Sequence, residues 1–193
     1  MNRHGPVVDI LLAAGAATNK AYNGLTALAI AVQNGHVALV DSLLSAGADT
    51  NLAIGGCTPL IFATTRGHCA IVTRLLAGGA DRNKAADNGV TPLIIAAKMG
   101  HDLVVDNLLE AGADANLATR QGTTPLLAAV QNGHGTVVES LLEAGADSDQ
   151  ATDAGLTPLC IAAKNGHAVI LQVPPRVHFQ YTNLRICPAG KPS

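Results

Sequence analysis

Six histidines, His4, His36, His68, His101, His134 and His167, follow one another at intervals of 32 or 33 residues. Imidazoles are common metal ligands, and a zinc site needs its nitrogens about 2.0–2.1 Å from one ion. Carboxylates recur at the same interval, at Asp49, Asp81, Asp114 and Asp147, and a convergent pair of them could do acid–base work. Cys57 and Cys160 could act as nucleophiles if a base and an orienting group stood beside them. All of these chemistries require different side chains gathered at one point. Here the same side chain returns at a fixed interval, which spreads it along the molecule. No His/Asn arrangement accompanies either cysteine, and the glycines form no phosphate-binding loop. The sequence therefore assigns no catalytic residue, no cofactor and no metal, and the chain reads as a non-enzyme.

The interval itself is the main signal. Gly-His occurs at Gly35, Gly67, Gly100, Gly133 and Gly166. Thr-Pro-Leu occurs at Thr58, Thr91, Thr124 and Thr157, with Thr26-Ala27-Leu28 as a variant. Leu-Leu pairs begin at Leu11, Leu43, Leu75, Leu108 and Leu141, and Gly-Ala-Asp follows each, with Gly15-Ala16-Ala17 and Gly78-Gly79-Ala80-Asp81 as variants. Thr is a good N-cap, and Pro after it has a preset φ and no donor to lose. Thr124-Pro125 thus opens a helix running to about Gln131, which Gly133 ends by taking positive φ. A second helix, His134 to Glu143, places Val137, Val138, Leu141 and Leu142 on one face. Gly145 closes it, and about ten polar or small residues lead to the next Thr. If such units stack, equivalent histidines lie about 8–10 Å apart and cannot share an ion.

A unit carrying Gly-x-Thr-Pro-Leu, Ala-Ala, Gly-His, Leu-Leu and Gly-Ala-Asp resembles the ankyrin repeat. The resemblance covers roughly residues 2–173, with complete periods beginning at Thr26, Thr58, Thr91 and Thr124. It implies an all-α fold, an ankyrin-repeat solenoid of stacked antiparallel helix pairs with projecting β-hairpin loops. The array is one domain, 1–173, with partial repeats at both ends. Residues 174–193, which contain four of the nine prolines and no acidic residue, read as a disordered tail or an alternative chain end that displaced a repeat. Val177, Phe179 and Tyr181 alternate there weakly, like a strand. The chain departs from the family pattern: the array has ragged ends, the loops before Thr26 and Thr58 are each one residue shorter than the later ones, and a histidine is missing. The His that follows Thr-Pro-Leu is replaced by Ala29, Ile61, Ile94, Leu127 and Cys160, so apolar packing must substitute for its hydrogen bonds.

Composition narrows the partners. Aromatics are only 2% and the net charge is −2, so there is neither a stacking platform nor a basic field for nucleic acid. No stretch is long enough for a membrane-spanning helix. The start of the chain imitates a secretory signal, but Asp9 interrupts its apolar run and the pattern recurs at residues 40–48. The four cysteines lack framework spacing, which favours free thiols in a cytoplasmic or nuclear, reducing setting.

In ankyrin-like arrays the partner meets the loop tips and the inner face of the first helices. By register, the tips are Tyr22, Asn23 and Leu25; Asp87, Asn88 and Val90; Arg120, Gln121 and Thr123; and Asp153. The first-helix positions are Arg66, Lys98, Met99, Gln131 and Lys164. This set is mildly basic, while the second helices carry Asp9, Asp41, Asp102, Asp106, Glu110, Glu139 and Glu143. The expected function is a monomeric scaffold or adaptor that binds another protein with acidic surface character. The alternative is a regulatory fragment of a larger enzyme or channel whose catalytic part lies outside the chain.

Overall fold

The computed structural model describes residues 5–167. The readings made for His4, for the helix expected after His167 and for the 174–193 tail lie outside the described residues. The helices run α1 (Gly5–Ala13), α2 (Ala27–Gln33), α3 (Val37–Ser45), α4 (Pro59–Thr65), α5 (Cys69–Ala77), α6 (Pro92–Met99), α7 (Asp102–Glu110), α8 (Pro125–Asn132), α9 (Gly135–Glu143) and α10 (Pro158–Asn165).

Each boundary follows from the marker residues. The hydroxyl of Thr58 accepts the Ile61 N–H at 3.3 Å, and Thr26, Thr91, Thr124 and Thr157 cap their helices in the same way. At the other end of α8, Gly133 takes φ +74. The Gly133 N–H then donates to Val130 O at 3.2 Å and the His134 N–H to Ala129 O at 3.1 Å. Those two bonds form a Schellman motif, which satisfies carbonyls that the helix end would otherwise leave open. Gly-His is therefore a helix stop with a following donor. The same motif ends α9, where Gly145 N–H donates to Leu142 O and Ala146 N–H to Leu141 O. The central residue of Gly-Ala-Asp is consequently tucked inward: Ala48, Ala80, Ala113 and Ala146 are all buried.

The helices form two rows. First helices pack α2 on α4, α4 on α6, α6 on α8 and α8 on α10, while second helices pack α1 on α3, then α5, α7 and α9. Within a unit α2 lies on α3, α4 on α5, α6 on α7 and α8 on α9. All substantial packing thus joins neighbours, as a solenoid requires. One continuous core runs between the rows through Leu28, Leu43, Leu60, Leu75, Leu93, Leu108, Leu126 and Leu141. Burying one such leucine is worth roughly 1.5–3 kcal/mol. Of the positions vacated by the missing histidine, Ala29, Ile61, Ile94 and Leu127 are buried as expected, whereas Cys160 on α10 is exposed.

The connecting loops contain no strand among the described residues. They close through single turns, and their length sets the turn type. In the two shorter loops, Tyr22 pairs with Leu25 and Ile54 with Cys57 through reciprocal N–H···O bonds of 2.9–3.1 Å. Asn23 (φ 49) and Gly24 (φ 73) both take positive φ, as a two-residue type I′ hairpin demands. The later loops hold one residue more. Ala86 N–H donates to Val90 O and Gly89 N–H to Ala86 O, and the pattern recurs from Thr119 and Thr152. Cys57 and Cys160 are free thiols.

Three substitutions test this packing. Gly100 and Gly145 both take positive φ, but a Cβ on Gly100 would stand 2.6 Å from His134 Nδ1, whereas one on Gly145 meets nothing within 4 Å. Alanine at either site carries the left-handed strain of about 1–2 kcal/mol. Gly100→Ala is expected to lose measurably more in urea unfolding than Gly145→Ala. The Thr64 hydroxyl is buried with no hydrogen-bond partner among the described residues, and the same register holds Val32 and Val130. Thr64→Val should raise stability by about 1 kcal/mol, read from the same unfolding curves.

Candidate functional site

The repeated polar residues divide into those used up inside the array and those left over. The histidines belong to the first group. Each ring lies against the helix-ending glycine of the preceding unit: His68 on Gly35, His101 on Gly67, His134 on Gly100 and His167 on Gly133. His134 Nε2–H also donates to Lys98 O at 3.1 Å, which ties unit to unit. Among the described residues, no three His, Cys, Asp or Glu side chains gather as a metal would need.

The Gly-Ala-Asp carboxylates are occupied too. Asp49, Asp81 and Asp114 each accept, through Oδ1, the N–H two residues on, at 2.8–2.9 Å, closing an Asx turn. That turn aims an asparagine at the next unit. Asn19, Asn51, Asn83 and Asn116 accept the N–H of Asp49, Asp81, Asp114 and Asp147 at 2.7–3.0 Å. Asn51 and Asn116 complete the link by donating Nδ2–H to Gly79 O and Gly145 O. Sequence reasoning set these aspartates aside as an acid–base pair and missed this relay. Its signal was an Asn two places after the Asp in successive units.

Those left over, the side chains of Lys98, Gln121 and Gln131, line a groove of about 450 Å³ between units, beside Thr65, Asn88, Thr119 and Asn132, whose side chains bond to nearby backbone. Its wall on one side is α6 and α8, giving Ile94, Ile95, Lys98, Met99, Ala128, Gln131 and Asn132. Loop residues Asn88, Val90, Thr119, Gln121 and Thr123 form the other side, and Thr65 at the end of α4 completes it. The groove brings together seven residues named from the sequence: Asn88, Val90, Lys98, Met99, Gln121, Thr123 and Gln131. Ile94, Ile95, Thr119 and Ala128 were not foreseen. Ile94 and Ile95 stand three to four places before Lys98 and Met99, on the same helical face, so register could have found them.

The other named residues fall outside the groove lining. Tyr22, Asn23 and Leu25 form the first hairpin, with Tyr22 77% exposed. Asp87 directs its carboxylate onto Gly56, and Asp153 lies over Gly122 with its N–H on Gln121 O. Arg120 crosses Gly89. Arg66 caps α4, and Lys164 lies in the last turn of α10. On the opposite side, Arg74 pairs with Asp41 at 2.6 Å and Asp106 accepts from the Ser140 hydroxyl at 2.9 Å.

The family model for ankyrin repeats (3 copies) matches residues 1–54, 50–119 and 104–173. The chain belongs to that family. Ankyrin repeats are generally protein–protein interaction modules and typically non-catalytic. No curated protein matches the chain. Among the described residues, no helix is long and apolar enough to cross a membrane.

Because the histidines are held one to a unit against glycines, zinc should have no folded-state site to stabilise. Added zinc is expected to leave the melting temperature unchanged. A rise that grows with zinc concentration would revive the metal reading.

Proposed function

We propose that this ankyrin-repeat chain is a monomeric scaffold or adaptor that holds another protein through its hairpin tips and inner-helix face. The observation that carries this reading is the division of polar groups. Aspartates and asparagines of the frame and His134 are hydrogen-bonded to neighbouring units, and the rings of His68, His101 and His167 pack against the preceding unit's glycine. In the groove, Asn88 and Asn132 bond only to nearby backbone, and the side chains of Lys98, Gln121 and Gln131 have no hydrogen-bond partner among the described residues. Polar groups left unpaired on a rigid face are available to a partner.

The charge balance supports an acidic partner surface. Arg66, Lys98, Arg120 and Lys164 outnumber Asp87 and Asp153 on the inner side. The second helices are acidic, and their Arg74 is already neutralised by Asp41. The cytoplasmic or nuclear placement is supported by the free thiols of Cys57 and Cys160.

The test compares the two faces. A partner is first isolated on the wild-type chain. Lys98→Glu with Arg120→Glu should then slow its association by about tenfold or more at low salt, with the loss shrinking as salt rises. Glu110→Lys with Glu143→Lys serves as the control on the outer row, since both side chains are exposed. Asp106 is unsuited because it holds Ser140. Loss of binding in the outer variant with retention in the inner one would reverse the assignment of the working face.

A further inference from the structure

The groove between α6 and α8 has a composition that specifies its occupant more narrowly. Lys98 is its one titratable side chain, and no acidic group lines it. Beside that cation lie Val90 and Ile95, half buried, and Met99, 51% exposed. Around them stand the carboxamides of Asn88, Gln121 and Gln131. A carboxamide donates and accepts at once, which matches a peptide unit whatever its side chain. No aromatic lines the groove, so bases would find no surface on which to stack.

The register extends the pattern by one unit. Lys98, Gln131 and Lys164 each stand seven places after their capping threonine, Thr91, Thr124 and Thr157, and α6, α8 and α10 pack in that order. Neighbouring helices lie about 8–10 Å apart, which puts Lys98 and Lys164 about 16–20 Å apart across the row. An extended chain rises about 3.3 Å per residue and repeats its face every second residue. Two side chains on one face that reach both lysines are therefore about six residues apart.

Resting on the reading of this face as the working surface, we propose that the groove takes an extended segment of another protein. The segment carries two Asp or Glu residues about six positions apart, one on Lys98 and one on Lys164. An aliphatic side chain next to the first carboxylate seats against Val90, Ile95 and Met99, and the segment's backbone pairs with Gln121 and Gln131. Asp87 and Asp153 do not oppose it, since both carboxylates are directed onto the preceding hairpin, at Gly56 and Gly122.

Displayed random peptides of about 12 residues, long enough to reach both lysines when extended, are selected on the full chain. The enriched peptide is then labelled and titrated by fluorescence anisotropy. The expected result is a paired-acid pattern with an aliphatic neighbour. Moving one acid by a single residue should cost about tenfold in affinity, since it turns that side chain to the opposite face. Lys98→Glu, folded by circular dichroism, should lose a similar factor and regain it when the first acid of the peptide is changed to Lys. Peptides that Lys98→Glu or Gln131→Leu releases, but whose acid spacing is immaterial, would overturn this inference and leave the face assignment standing. Failure to enrich any peptide, or tighter binding of single-stranded DNA of equal charge, would overturn it too. Peptides indifferent to both groove variants but released by Glu110→Lys with Glu143→Lys would overturn the face assignment as well.

Discussion

A helix pair in this chain cannot cover its own apolar surface, and the packing of one unit on the next is what the remaining structure depends on. Helices of seven to nine residues are too short to persist alone in water. The clearest measure is one residue type in one local setting. Leu28, Leu60, Leu93 and Leu126, each two places after a capping threonine, are at most 2% exposed. Leu159 has the same cap and the same proline before it, yet is 62% exposed. The same contrast separates Leu43 and Leu75, at most 1% exposed, from Leu11 at 53%. Local sequence makes the helix; only a neighbour on each side makes the core.

The neighbour contact also explains why so few polar residues are free to vary. Stacking at constant spacing lets a single device be copied from unit to unit. A ring over a glycine and an asparagine reaching the next aspartate's N–H are two such devices. The asparagines, and among the rings His134, satisfy a backbone group at the unit boundary, where an unmade hydrogen bond would cost about 1–3 kcal/mol if buried, while Nε2 of His101 and of His167 has no partner among the described residues. Once these positions are committed, chemistry can differ only at the ends of the first helices and in the loops. Those are the elements that border the groove. Position and variability arise together from the frame.

Much of this was legible in the residues, because caps and stops act over three or four positions. Thr124, Pro125, Gly133 and Gly145 fix α8 and α9 with partners close in sequence. The parts that were not legible involve partners 28–36 residues away. Asn83 reaching Asp114, and His134 reaching Lys98, need the stacking distance before they can be inferred. The loops show an intermediate case. Their one-residue difference in length was plain, but its result, a switch between a two-residue hairpin and a longer turn, depends on backbone φ at Asn23 and Gly24. Seven of the fifteen named surface residues came together because register places them on one face. Arg66, Arg120 and Asp153 did not, because register does not say which way a loop or a C-cap side chain turns.

The replacement of a polar residue after Thr-Pro-Leu shows how the frame tolerates change. With Ile61, Ile94 and Leu127 in that place, the first turn keeps only the threonine hydroxyl as its side-chain cap. No buried polar atom is stranded by the exchange, since the incoming side chains bring none and are themselves covered. Thr64 is the opposite case, a hydroxyl buried where the register elsewhere holds valine or alanine, with no hydrogen-bond partner among the described residues. The inner helices are thus held by apolar contact along their buried side and by hydrogen bonds only at their ends. Such a wall is stiff across the row yet chemically plain, and the selectivity of the groove has to come from its rim of carboxamides and one lysine.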